Sequence, residues 1–257
     1  FTKDKNDNIT TSIIGKKITV GLDSLFSFFN FKQASSYLNN FSLENFKLNS
    51  DKGIKIVGDL NLINAVKQEE FYLSSNLEKF SLDYFKLKNM LPNLLEKNLP
   101  KELIKLGEFS LSGYAKITPS AIEANLDVKS EIGVVVSDLE LKNFKSMDEA
   151  IYKGEVILDR FDLGRFIEDS SFGRVSFEGE IDGIGFRAGN RNTKLVGDIY
   201  KIKFNEYDYQ NISVNGLYQN NLFNGKLASN DINLNGTFEG LADLSDEINR
   251  FDFKATI

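Results

Sequence analysis

The feature that most constrains this chain is the alternation in Asn211 to Leu241, NISVNGLYQNNLFNGKLASNDINLNGTFEGL. It reads as three short strands in succession, with turn residues between them and glycines inside them. In the last of these, Ile232, Leu234, Gly236 and Phe238 point one way, and Asn233, Asn235, Thr237 and Glu239 the other. Successive side chains on a strand face opposite sides, so this spacing predicts one apolar and one polar face. Most of the chain repeats it. Ile54, Ile56, Gly58, Leu60 and Leu62 share a face, as do Val175, Phe177, Gly179 and Ile181. At Phe41 to Phe46 the facing is ambiguous, because Leu43 and Phe46 fall out of phase.

The expected fold is all-β: roughly fourteen to seventeen strands of ordinary length, joined at short intervals into an antiparallel meander. Asn220-Asn221 and Asn230-Asp231 are the expected turns. No long helix follows each strand, which argues against a parallel α/β sheet. A short helix is expected near 24–29, capped by Asp23 or Ser24, and another at Leu163 to Glu168. Residues 89–107 read as a helical insertion: Pro92 and Pro100 stand near helix starts, and Gly107 ends the second helix. Residues 1–88 then form N-terminal strands and 108–257 a series of strand repeats, all within one continuous section, 1–257. Phe71 to Leu87 reads as two strands, and Lys194 to Phe204 as one, with Val196, Tyr200, Ile202 and Phe204 opposite Lys201 and Lys203. Glycine recurs mid-strand, at Gly113, Gly154, Gly179, Gly197, Gly216, Gly225 and Gly236. Such a series permits bulges and bending and predicts a strongly curled sheet, or else the corners of a sandwich.

Composition removes most enzyme classes. The chain of 257 residues holds 22 Phe but no His, Cys or Trp. Without His and Cys there is no thiol nucleophile, no Ser-His-Asp triad and no Cys/His zinc set. Gly183-Ile184-Gly185 lacks the third glycine of a dinucleotide loop. Glu178, Glu180 and Asp182 share a strand face, but as a solvated outer face rather than a metal or acid/base site. Asp159 and Asp162 bracket Phe161, with helix capping as the better reading. No enzymatic activity, metal or cofactor is expected. The net charge of −6, with scattered basic residues, argues against nucleic acid. No apolar run reaches the roughly 18 residues of a membrane span. The chain opens on Phe1 and closes on the alternating FDFKATI; we expect an excerpt of a longer protein, with any targeting segment outside it.

A sheet with one apolar face must cover it. A second sheet can pack on it, or the sheet can fold over and leave a slot for something else. The residues singled out for that face are Val175, Phe177, Ile181, Ile232, Leu234, Phe238, Phe251, Phe253 and Ile257. Lys201 and Lys203 read as solvated charges, with lipid head-group contact at a rim as the lesser reading. The helical segment Leu94 to Leu106 reads equally as a lid over a slot and as plain edge packing.

Tyr152 to Phe186, YKGEVILDRFDLGRFIEDSSFGRVSFEGEIDGIGF, resembles the repeat unit of the TamB family of AsmA-like envelope bridge proteins. So does Asp208 to Gly240, DYQNISVNGLYQNNLFNGKLASNDINLNGTFEG, and the helical LPKELIKLGEFSLSG from Leu99 has the same flavour. The resemblance covers roughly Leu91 to Ile257 and carries no catalytic signature. It implies a β-taco, a curled sheet whose elongated groove is lined by apolar side chains. It implies a periplasmic bridge, anchored in the inner membrane through a segment absent here, that moves phospholipid to the outer membrane. Its partners would be phospholipid acyl chains and, through regions outside this sequence, a BamA/TamA-type barrel. The alternative role is assembly of outer-membrane β-barrel proteins by strand templating at exposed edges. A third reading is an extracellular adhesin or glycan-binding sandwich.

Overall fold

The computed structural model describes residues 2–3, 9–12, 41–49, 55–64, 68–90, 101–144, 146, 148–186, 189–243 and 250–257. Among them it is all-β, with fifteen strands and a few short helices. The chain divides into two compact units, Phe1–Glu131 and Ile132–Ile257. The helix expected near 24–29, the part of an expected strand Thr10 to Val20 that follows Ser12, and the first part of the helical insertion lie outside the described residues.

The first unit holds β1 (Thr2–Lys3), β2 (Ile9–Ser12), β3 (Phe41–Asn49), β4 (Lys55–Ile63), β5 (Tyr72–Leu82), β6 (Phe109–Ile117) and β7 (Ala121–Ser130). Sheet order follows chain order. β2 and β3 run parallel, and the other neighbours antiparallel. The ambiguity at Phe41 to Phe46 is resolved by one residue. Asn45 takes a left-handed φ of 50°, and its N–H donates to Asp59 Oδ1 at 2.7 Å. The pairing of β3 with β4 shifts between Leu43 and Phe46. An extra residue in a bulge turns the rest of the strand over, so Leu43 and Phe46, three apart, are both buried. β5 repeats the device, with a register shift between Leu77 and Phe80 and both residues buried.

Two expectations fail in this unit. Phe71 to Leu87 is one strand and one helix, not two strands. Asp83 Oδ1 accepts from Lys86 N–H at 2.9 Å, so it caps α1 (Tyr84–Met90), which ends the alternation. The insertion's described second part is a 3-10 turn, Lys101–Leu106, rather than a full helix. The β6–β7 hairpin closes on Thr118, whose N–H donates to the Ala121 carbonyl at 2.8 Å. Pro119 stands at the second turn position, where its fixed φ fits.

The second unit holds β8 (Gly133–Lys142), β9 (Ile151–Asp162), β10 (Phe172–Ile184), β11 (Asn192–Phe204), β12 (Tyr207–Gln219), β13 (Leu222–Asn230), β14 (Asn235–Asp243) and β15 (Arg250–Thr256). All neighbours pair antiparallel in chain order. Asn220 and Asn221 both have positive φ, 50° and 62°, as do Asn205 and Glu206, 46° and 66°. Two consecutive left-handed residues make the tight hairpin loop whose twist matches its strands. The expected helix is α2 (Leu163–Ile167), capped by Asp162, whose Oδ1 accepts from Arg165 N–H at 3.1 Å, and closed by a left-handed Glu168. Asp159 plays no part in the cap and pairs with Arg160 at 3.5 Å.

In both units the left-handed bulge residue places its flanking apolar residues on one side. Replacing Asn45 by Val, which is β-branched and fits that φ poorly, should cost roughly 1–2 kcal/mol. Asn45→Gly should be nearly neutral. Urea unfolding of the three proteins checks it, and equal midpoints for Val and Gly would contradict the bulge.

Candidate lipid-facing sheet

In an antiparallel ladder, residues directly opposite each other share a face. Pairing therefore carries one face across the second unit. Ile181 stands opposite Leu195, Leu195 opposite Gly216, Gly216 opposite Gly225, Gly225 opposite Gly240 and Gly240 opposite Phe253. The next row runs Val156, Gly179, Gly197, Val214, Leu227, Phe238 and Ala255. Phe177 joins the same face through Leu158 and Ile199. An apolar face crosses all these strands without a break in parity.

One end of this face is covered. α2 packs against β10, and the Phe166 ring meets Phe161 edge-on, with centroids 5.3 Å apart. Phe161, Val175 and Phe177 are buried there. Beyond it Ile181, Leu195, Phe223, Leu227, Phe238 and Phe253 are half-exposed. Within this unit the apolar side is thus an open sheet face, not an enclosed groove.

The opposite face is wet. Glu178, Glu180 and Asp182 are exposed, Tyr200 hydroxyl donates to Glu178 Oε2 at 2.8 Å, and Lys153 pairs with Asp182 at 3.4 Å. The Glu178 carboxylate pushes the Tyr200 phenol above its ordinary range. The three acids are a solvated outer face, and no cluster able to hold a metal ion occurs among the described residues. Lys201 and Lys203 pair with Asp208 at 2.8 Å and Glu206 at 2.7 Å. Val196 and Tyr200 belong to this wet face, not beside Ile202 as the sequence suggested. Val196 lies opposite Glu180 and Asn215, and Tyr200 is exposed beside Glu178. An open depression of about 680 Å³ near the β12–β15 end is lined by uncharged residues, polar ones such as Asn211, Ser213, Asn235 and Thr237 together with Ala228 and Ile257.

The nine residues singled out from sequence divide. Val175 and Phe177 are buried under the α2 end. Ile181, Phe238 and Phe253 lie on the half-exposed apolar face, and Phe251 stands opposite Ala242 on the same side, 61% exposed. Ile257 is 92% exposed beyond the end of β15. Ile232 and Leu234 are not in a strand. β14 starts at Asn235, and Ile232, 95% exposed, sits in the β13–β14 connection. The cause is Asp231, whose N–H and carbonyl bond the carbonyl and N–H of Leu234 at 3.3 and 3.2 Å, folding the chain into a turn that the alternation hides.

The sequence also missed why glycines recur on this face. They fall into two kinds. Gly154 has a φ of 147°, with the Asp138 carbonyl so close that a Cβ would overlap it; only glycine fits. Gly240, with a φ of 153°, meets the Asp252 carbonyl in the same way, whereas at Gly179, Gly183, Gly197, Gly216 and Gly225 an aromatic ring lies within 3 Å of where a Cβ would be. Phe177 Cζ is 2.5 Å from the Cβ position of Gly179, and its Cε2 2.8 Å from that of Gly197. The Phe223 ring covers Gly216 and Gly225 in the same way, and Tyr152 covers Gly183. Two of these rests share the spacing Phe-x-Gly with a glycine opposite: Phe177-Glu178-Gly179 with Gly197, and Phe223-Asn224-Gly225 with Gly216. The ring shields backbone that a side-chain-free residue would leave bare, the arrangement known as aromatic rescue.

No family model, no curated protein and no solved structure matches the chain. The fold and the site define a class: an antiparallel meander whose sheet has one apolar, partly uncovered face and one charged face.

At Gly216 the obstacle to a side chain is the Phe223 ring, the nearest backbone atom being 3.0 Å away. Gly216→Ala should cost roughly 1–3 kcal/mol by overpacking, and Phe223→Leu in the same chain should return part of it. At Gly197 the backbone carbonyl of Glu178 lies closer than the ring, so Phe177→Leu should not relieve Gly197→Ala. Denaturant midpoints of the two double-mutant cycles check this.

Proposed function

We propose that this chain is a non-enzymatic segment that carries phospholipid acyl chains on the apolar face of its sheet. In this reading it belongs to a TamB-like bridge in the periplasm and is anchored in the inner membrane by a segment outside this sequence. The face is the lining of a groove that closes around its cargo. A BamA/TamA-type outer-membrane barrel is the partner at the far end.

One observation carries the reading: the apolar parity holds strand after strand while most of the face beyond α2 stays half-exposed. Covering a Leu, Ile or Phe completely is worth about 1.5–3 kcal/mol. A set of half-covered residues therefore leaves several kcal/mol for whatever lies on them. Each methylene of an acyl chain gains about 0.8 kcal/mol on burial. A single glycerophospholipid chain laid across a few strands would draw on much of that.

The test uses Leu195, half-exposed on the face, and Glu180, exposed on the other side. Native mass spectrometry of the wild-type protein should find co-purifying phospholipid. Leu195→Lys should lose it with circular dichroism unchanged, because a half-exposed lysine can reach water with its ammonium group. Glu180→Lys should keep it. Wild-type protein free of lipid, or Leu195→Lys carrying as much as wild type, would defeat the proposal. Global unfolding by Leu195→Lys would point to a closed core instead.

A further inference from the structure

A strand longer than its neighbour leaves unpaired backbone, and an unpaired edge is a template for another strand. β12 has 13 residues and β13 has 9. Their pairing begins at Ile212 opposite Ser229, so Tyr207 to Asn211 have no β13 residue opposite them. On its other side the same stretch is paired with β11, from Lys201 opposite Gln210 to Phe204 opposite Tyr207. The overhang is therefore open on one side only.

Asp231 stands at that corner, and its side chain is the element that meets the overhang. The residue is 4% exposed. Its Oδ2 accepts from Gln210 N–H at 2.9 Å, and its Oδ1 from the Tyr207 hydroxyl and from Asn233 N–H, each at 2.9 Å. Asn233 Nδ2 in turn donates to the Tyr207 hydroxyl oxygen. A carboxylate only accepts, so it supplies Gln210 with what the carbonyl of a neighbouring strand would otherwise supply. At the inner end of the overhang Asn211 takes a left-handed φ of 54°, a kink that also spoils an edge.

We propose that the Asp231 carboxylate is an edge guard: it occupies the pairing side of β12 at Tyr207 to Asn211 and keeps that edge from pairing with the same edge of a second copy. The second copy is the natural intruder. Two identical edges are self-complementary when they meet antiparallel about a twofold axis, and every copy brings the matching one. The guard is independent of whether the apolar face takes lipid.

The donors, Asn233 N–H foremost, then the Tyr207 hydroxyl and Gln210 N–H, hold the Asp231 carboxyl below its ordinary range. The titratable group that faces it is the Tyr207 phenol, with Tyr209 packed edge-on against that ring. A lowered carboxyl pKa stabilises above the ordinary carboxylate range and stops doing so as pH falls through the lowered value. At neutral pH the guard is charged and shut, so substitution rather than mild acid opens it.

The experiment pairs hydrogen exchange with sedimentation over a concentration series on the full chain. In Asp231→Ala, at concentrations low enough to keep it monomeric, exchange at the Gln210 amide should rise on the order of tenfold, as expected for losing a charge-assisted hydrogen bond. A dimer should also appear that wild type does not form. Adding Gln210→Pro, which removes the donor and blocks pairing, should restore the monomer. The proposal is overturned if Asp231→Ala stays monomeric with Gln210 protected, if the dimer survives Gln210→Pro, or if wild type already dimerises with this edge protected by its copy. Should Asp231→Ala fail to fold, Asp231→Asn keeps the shape and one acceptor. It should then raise Gln210 exchange by a smaller factor, and a wild-type rate there overturns the proposal as well.

Discussion

On a strand, which way a side chain points is a matter of counting, and a single extra residue inverts everything after it. At the α2 end the second unit keeps its apolar residues on one side because its extra residues sit where inversion helps. In β9 the step from Leu158 to Phe161 is three residues long, with Arg160 at a left-handed φ of 46° between them. In β12 the step from Tyr209 to Ile212 spans Asn211, also left-handed. β11 answers with Tyr200 as its extra residue, set out onto the wet face beside Glu178. Without these insertions Phe161 and Ile202 would turn to the wet side, and the apolar face would stop at the row of Leu158, Phe177 and Ile199.

The same parity governs the glycines. A glycine pair in the middle of an apolar face would leave bare backbone, and a large residue there would stand up from it. Phe177 and Phe223 lie over such pairs instead, so the face stays flat and apolar while the strands approach closely. Phe177 is closed over at the α2 end, whereas Phe223 remains half-exposed. The unit therefore has a sealed end and an open expanse of similar chemistry. A packed core would have no reason to seal only one end, and that contrast supports a face built to be covered by something else.

Much of this was legible in the residue order. The all-β meander, the Asn220-Asn221 hairpin, the Asp162 cap and the separation of Glu178, Glu180 and Asp182 from Val175, Phe177 and Ile181 follow from local spacing and turn chemistry, which act within a few residues. What stayed hidden depends on partners far along the chain. Leu43 and Phe46 look out of phase until Asn45 is seen bonded to Asp59. Ile232 looks like a strand residue until Asp231 is seen committed to Tyr207 and Gln210, some twenty residues away. The glycines read as a bending signal, since nothing in a single strand says that Gly216 will lie opposite Gly225 and under Phe223. Phe71 to Leu87 misled for a different reason: strand-like alternation ran on past Asp83, whose carboxylate had already started a helix.

The central claim is that the apolar side of this sheet is uncovered in the free protein and meets acyl chains when they are present. The chain contains no cysteine, so one thiol can be placed at Leu195 and, in a second protein, at its neighbour Val196 on the charged face. Each is labelled with a polarity-sensitive fluorophore and titrated with phospholipid. The account predicts a water-like signal at both sites without lipid, and a shift to an apolar signal at 195 but not at 196 as lipid is added. An apolar signal at 195 from the outset, or no difference between the two sites at saturating lipid, would contradict it.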